Sequence, residues 1–295
     1  YLIQKEDGKV RLGGSIEKPY NTPAEWLAMV RALGYSAVSA PVDAGAPAQV
    51  RQEYLACARE NNLLIGEVGA WSSPLSTDEK KRAAALRHCK EQLALADELG
   101  ANCCVNISGA RGPEWADYYP LNYAADTYTL IVDTVREIID AVKPTRTYYA
   151  LEPMPWMLPD SVDGYLALLR DVDRPAFAVH LDYTNLINSL EKYHNSSLLI
   201  QDCFARLGPY IKSVHAKDVI LDGLPCCIRE TPPGTGIIDF GLVLRLTHAL
   251  GPDTPLFVEH LTGWDAYRDA ARFIRAQAKK AGVPVVPAPG DGAAY

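Results

Sequence analysis

Four short apolar runs each end on a side chain that can bind a metal ion. Tyr148-Tyr-Ala-Leu151 leads to Glu152, Phe177-Ala-Val-His-Leu181 to Asp182, Ile211-Lys-Ser-Val214 to His215, and Pro255-Leu-Phe-Val258 to Glu259. A charge at the end of a buried strand is costly unless it is paired or metal-bound. Any one of these residues could be satisfied by a loop, whereas four in succession point to a single site. Three carboxylates and one imidazole suit one hard divalent ion, Mn²⁺ first, with Mg²⁺ or Co²⁺ as alternatives. Zinc would prefer more nitrogen or sulfur. The chemistry such a set supports is Lewis-acid polarisation of a carbonyl, with carboxylates moving protons beside it.

Other candidates surround these four in the sequence. Glu67 and Asn106 each end an apolar run and can bind substrate hydroxyls or form a buried hydrogen bond. Trp71 and Trp156 can stack on a sugar ring or pack under loops. His180 shares the direction of Asp182, two residues on, and reaches the site or stays a core histidine. His260 directly follows Glu259 and is expected to turn toward the helix layer. Lys217 can hold a substrate oxygen or pair with Asp218 or another carboxylate. Arg229 opens a Pro/Gly-rich stretch, to Asp239, that reads as a rim loop.

The elements that must position these groups alternate strand and helix eight times with no linker between them, which implies a parallel sheet. Eight units in 295 residues is the size of a (β/α)8 TIM barrel, whose functional groups lie at the C-terminal ends of the strands. An open doubly wound sheet would need a Gly-rich phosphate turn after its first strand, and none is present. The expectation is one α/β domain over residues 1–295, with the barrel spanning about 11–282 and an irregular Pro/Gly-rich tail over 283–295. Thr22-Pro-Ala-Glu25 and Ser76-Thr-Asp-Glu79 read as capping boxes that open helices. The long segments 107–119 and 219–236 read as lids over the site.

Composition narrows the function classes. A net charge of −7 disfavours general nucleic-acid or anionic-membrane binding. No apolar run approaches the roughly 20 residues that span a bilayer. Seven cysteines, two pairs of them adjacent (Cys103-Cys104 and Cys226-Cys227), do not form a disulfide framework, so a reduced, cytoplasmic setting is expected. No leader is visible, and the chain starts at Tyr1.

The chain resembles the xylose-isomerase-like TIM barrels, which include sugar phosphate isomerases and epimerases, ketose 3-epimerases, hydroxypyruvate isomerase, inosose dehydratase and endonuclease IV. The likeness runs from about Leu12 to Ala281. It is carried by Leu-Glu152-Pro, His180-Leu-Asp182-Tyr-Thr-Asn185, Val-His215-Ala-Lys217-Asp218, Pro233-Gly-Thr-Gly-Ile-Ile-Asp239 and Val-Glu259-His. The resemblance implies that Glu152, Asp182, His215 and Glu259 are metal ligands. It also implies that the two glutamates are an acid–base pair, acting through a metal-stabilised enediolate on a keto-sugar. Where ketose epimerases carry a substrate-binding histidine, this chain has Asn185. Glu-Pro-Met-Pro-Trp156 and Asp-Tyr-Thr-Asn185 are also similar to the catalytic subunits of C-glycoside deglycosidases, which eliminate from 3-oxo-glycosides. The expected activity is isomerase or epimerase, with a lyase as alternative and a non-catalytic sugar-binding subunit as a second. The expected partners are a small carbohydrate and further copies of the chain, or a second subunit if the chain is a deglycosidase subunit.

Overall fold

A computed structural model describes residues 9–223 and 227–290; Cys226 and Tyr1 lie outside the described residues. Eight strands run parallel: β1 (Arg11–Gly14), β2 (Ala37–Ser39), β3 (Leu64–Gly69), β4 (Cys103–Asn106), β5 (Tyr149–Leu151), β6 (Phe177–Leu181), β7 (Ile211–Ala216) and β10 (Pro255–Val258). Their order around the sheet is β1-β10-β7-β6-β5-β4-β3-β2. The seam between β1 and β2 is bridged by the Ser36 amide, which donates to the Leu12 carbonyl at 2.9 Å. The result is the nearly closed (β/α)8 barrel that the alternation predicts.

Period-two alternation sets which side chains enter the barrel. Tyr149, Leu151, Val179, Leu181, Val214, Leu256 and Val258 pack outward against the helices in one continuous core. Their neighbours Ala150 and Ala178, with Cys103 and Val105, form a separate cluster inside. Phe257 fills the lower interior, and Gly13 and Gly66 leave room for its ring, since a Cβ at either would overlap it. Continuing the inward stripe one residue past each strand brings Glu152, Asp182 and Glu259 to the mouth.

The helices follow local chemistry. In α1 (Pro23–Leu33), Thr22 Oγ1 accepts the Glu25 amide and Glu25 returns a bond to the Asn21 amide. In α4 (Thr127–Val142), Ile131, Val135, Ile138 and Ile139 recur at helical spacing and are buried. Full burial of one such side chain contributes about 1.5–3 kcal/mol. The remaining large helices are α2 (Ala48–Glu60), α3 (Glu79–Leu99), α5 (Val162–Val172), α7 (Ser196–Leu207), α8 (Phe240–Ala249) and α9 (Trp264–Ala281), with a short α6 (Leu190–His194) that periodicity did not reveal.

Two expectations change. Asp78, not Ser76, caps α3, accepting the Lys80 and Lys81 amides; Ser76 instead accepts the Asp78 amide. A carboxylate two residues nearer the helix outcompetes the hydroxyl. The segment after β7 is not only a loop: β8 (Asp218–Asp222) and β9 (Cys227–Thr231) form an antiparallel hairpin. In the described part of the tail, the Val10 amide donates to Pro284 and the Val286 amide to Val10, so Val283 and Val286 are buried beside β1. The six described cysteines are free thiols. No described helix is long and apolar enough to cross a membrane.

Asp218 organises the hairpin. Its buried carboxylate accepts the amides of Val219, Gly234, Gly236 and Ile238 at 2.9–3.0 Å. A side chain at Gly236 would run into that carboxylate. Asp218→Ala leaves four amides short of an acceptor, two of them, Val219 and Ile238, buried, so a loss of about 1–3 kcal/mol is expected. An unchanged urea midpoint would contradict this role.

Candidate metal centre

Glu152 follows β5, Asp182 follows β6, His215 lies in β7 and Glu259 follows β10. One donor atom from each lies within 4.8 Å of every other. His215 Nδ1 is 2.9 Å from Glu259 Oε2, 3.2 Å from Glu152 Oε1 and 3.7 Å from Asp182 Oδ2. All four residues are buried or nearly so.

Each donor is aimed by neighbours. Asp182 Oδ1 accepts from Thr184 Oγ1 at 2.5 Å, the Thr184 amide at 3.0 Å and the Asn185 amide at 3.3 Å. That leaves Oδ2 for the cluster. Asn185 Nδ2 donates to Glu152 Oε1 at 3.3 Å. Asn185 therefore braces two of the four donors, and Thr184 joins it; short-range bonding of this kind to an aspartate is a common turn device.

Lys217 is the group whose weight the sequence understates. It is 2% exposed, and its Nζ lies 2.7 Å from both Asp182 Oδ2 and Glu259 Oε2 and 3.8 Å from Glu152 Oε1. Both close oxygens are ion-paired with the ammonium. Their contact with the ammonium is one of charge. Lys217 thus pairs with the cluster carboxylates and not with Asp218. Glu230, from β9, is 3.4 Å from Lys217 Nζ and 2.8 Å from His260 Nδ1. His260 does not turn to the helix layer: its left-handed φ of 55° breaks the strand alternation and keeps the ring on the rim.

Behind His215 stands a second buried layer. Glu67 accepts from Ser213 Oγ and from His180 Nε2, the latter at 2.9 Å. It sits 3.6 Å from His215 Nε2, long for a hydrogen bond but close enough for its charge to matter. The His180 ring meets the His215 ring edge-on, with centroids 4.1 Å apart. Glu67, His180 and His215 can also be drawn as a metal-sized trio, but Glu67 already holds two donors there. Its geometry instead fixes the His215 ring so that Nδ1 faces the cluster, the usual job of a carboxylate behind a ligating histidine. Glu67→Gln should weaken Mn²⁺ affinity about 10–100-fold, measured by calorimetric titration; an unchanged Kd would contradict the bracing role.

The remaining candidates lie farther out. Asn106 is bonded to the Ser72 amide, Tyr149 Oη and Cys89 in the layer behind the sheet. Trp156 Nε1 donates to the Ala116 carbonyl at 2.9 Å, tying the segment after β5 to the loop after β4. Arg229 pairs with Asp222 across the hairpin, on the strand face opposite Glu230. The structure does not bring these three into the cluster.

The electrostatics are those of tightly facing charges. Burial pushes the Glu152 carboxyl up, and the Glu259 charge adds to it against the pull of His215. Burial acts the same way on Asp182 and Glu259, but there the cations outweigh it: Lys217 and His215 at Asp182, His215 and then Lys217 at Glu259. Both are held below the ordinary carboxylate range. Burial alone would lower the His215 and Lys217 values; the surrounding carboxylates reverse this and raise both.

The residues fit a divalent ion. One donor atom from each of Glu152, Asp182, His215 and Glu259 converges on one spot, and three carboxylates with one imidazole suit a hard divalent ion. With His215 neutral, three carboxylates against the Lys217 ammonium leave two negative charges for a divalent cation to neutralise.

A family model for xylose isomerase-like TIM barrels matches residues 27–277. The chain belongs to that family. Solved structures of similar fold include a xylose isomerase-like TIM barrel protein from Mycobacterium smegmatis in complex with magnesium, 17% identical, covering 93% of this chain and 97% of that one at a TM-score of 0.65. L-ribulose 3-epimerase is 18% identical, covers 92% and 96%, and gives a TM-score of 0.68. The probable 3-DHS dehydratase of Bacillus anthracis is 16% identical, covers 91% and 99%, and gives 0.68. At these identities the likeness establishes the xylose isomerase-like barrel and not the reaction. No curated protein matches the chain in sequence.

Proposed function

We propose that the chain is a divalent-metal-dependent isomerase or epimerase that removes and returns a proton next to the carbonyl of a keto-sugar or sugar derivative. The supporting observation is the convergence of one donor atom each from Glu152, Asp182, His215 and Glu259 at the barrel mouth. A bound divalent ion supplies Lewis acidity toward the substrate carbonyl and a neighbouring hydroxyl. Glu152 and Glu259 come from strands separated in the sheet by β6 and β7. They can thus approach a sugar carbon from two sides, one accepting the proton and the other returning it. Asp182 and His215 serve as ligands, and Asn185, Thr184 and Glu67 hold the donors in position. The hairpin carrying Glu230 and the loop after β4 flank the mouth and limit water.

A lyase is the second reading, and Lys217 favours it. An ammonium among the cluster carboxylates can protonate a departing hydroxyl or alkoxide, so the same proton abstraction would end in elimination. Proteins of similar fold include an epimerase and a probable dehydratase, which keeps both branches in view. Incubation of the Mn²⁺-loaded protein with ketoses and 3-oxo-glycosides in D₂O, followed by NMR, separates them. Deuterium at the carbon beside the carbonyl with substrate composition retained supports the isomerase. An unsaturated product supports the lyase, and neither signal with any substrate would contradict the proposal.

A further inference from the structure

A cavity of about 440 Å³ lies between the first turns of α3 and the loop after β4, lined by Trp71, Ser73, Lys81, His88, Glu114 and Trp115. We infer that this cleft is a subsite for a second, uncharged ring, the aglycone or neighbouring sugar that a glycoside carries beyond the ring being turned over. The inference rests on the sugar reading above and names a part of the substrate that reading leaves open.

The cleft has fixed walls. Ser73 Oγ donates to Ala110 at 2.5 Å, Thr77 Oγ1 to Arg111 at 3.3 Å and Lys81 Nζ to Pro113 at 2.8 Å. These bonds hold the loop at a set distance from α3, and Trp156 Nε1 holds its far flank to the segment after Glu152. The floor carries two large aromatics that remain open to solvent, Trp71 at 38% and Trp115 at 45% exposed. Exposed apolar surface gathered in a concavity marks a binding site more often than a packing defect. Indole faces suit the C–H face of a sugar or an aryl ring.

Trp71 joins the cleft to the barrel mouth. Gly69 pairs with Val105, which faces the interior, so the Cβ direction at Gly69 is also inward. A Cβ there would meet Trp71 Nε1 at 2.5 Å and Cδ1 at 2.8 Å. The Trp71 indole therefore leans over the mouth while also lining the cleft. Charge selects the ligand class: one lysine and one glutamate cancel, and the lysine is already bonded to a carbonyl. With Lys81 and Glu114 offsetting each other, an anionic ligand gains no net attraction, whereas His88 and Glu114 offer hydrogen bonds to hydroxyls.

The test is calorimetric binding of phenyl β-glucoside, cellobiose and glucose to the full chain, with chelator and with Mn²⁺. The first two should bind at least about tenfold more tightly than glucose, under both conditions. Trp115→Ala should remove that advantage. Ala84→Trp, from an exposed position lining the cleft, should remove it by filling the space, with melting curves matching the parent. Which of the two glycosides gains more identifies the ring. Equal affinities for all three sugars, or an advantage that survives both substitutions, would overturn the subsite. A chain inactive on every keto-sugar that still shows the Trp115-dependent advantage would refute the proposed reaction and leave the subsite standing.

Discussion

Replacing Glu152 or Glu259 by Gln is expected to lower turnover by on the order of 10²–10⁴, and added Mn²⁺ should not restore it. The amide keeps an oxygen for the ion but cannot accept a proton at working pH. Asp182→Asn is the control, because Asp182 is cast only as a ligand and is held by Thr184 and Asn185 through the other oxygen. That variant should bind metal more weakly and recover much of its rate at saturating Mn²⁺. Solvent deuterium should stop entering the substrate in both glutamine variants. If excess metal rescued both fully, the glutamates would be ligands alone and the proton-transfer role would fall.

Lys217→Met is expected to destabilise the metal-free protein by about 3–5 kcal/mol, the usual cost of removing one partner from a buried ion pair. Three carboxylates then face one another with only His215 to offset them. For a chain of this size the melting point should fall by on the order of 10 °C. Saturating Mn²⁺ should recover more stability in the variant than in the parent, because the ion takes over the neutralising role and stabilises only the folded state. Melting curves with chelator and with Mn²⁺ decide this. A variant that melts with the parent in chelator would show that the ammonium does not balance the cluster.

The four metal-type residues were legible because strand alternation is local. Ala150 and Glu152, Ala178 and Asp182, Ser213 and His215, and Phe257 and Glu259 lie an even number of residues apart, so an inward small or apolar residue predicts an inward ligand. Lys217 continues the stripe of His215 and was flagged, but which carboxylates it would meet depends on three other strands. Glu67 is harder still: its partners His180 and Ser213 are 113 and 146 residues away. Only barrel closure brings them together.

Glu230 is not legible in the sequence for a different reason. Its side of the rim depends on pairing with Val219 across the hairpin, and prolines and glycines downstream made that segment look irregular. His260 departs from the alternation because that pattern assumes extended backbone, and its left-handed φ ends the assumption. Ser76 lost its cap role to Asp78 because two acceptors within three residues compete, and spacing alone does not choose between them.

The metal content of the protein tests the account most directly. Protein stripped with chelator, equilibrated with Mn²⁺ and freed of excess ion should retain one equivalent per chain by elemental analysis. The Asp182→Asn protein treated in parallel should retain markedly less. No retained metal in the parent, together with a melting curve indifferent to Mn²⁺, would contradict the assignment of Glu152, Asp182, His215 and Glu259 as one metal centre.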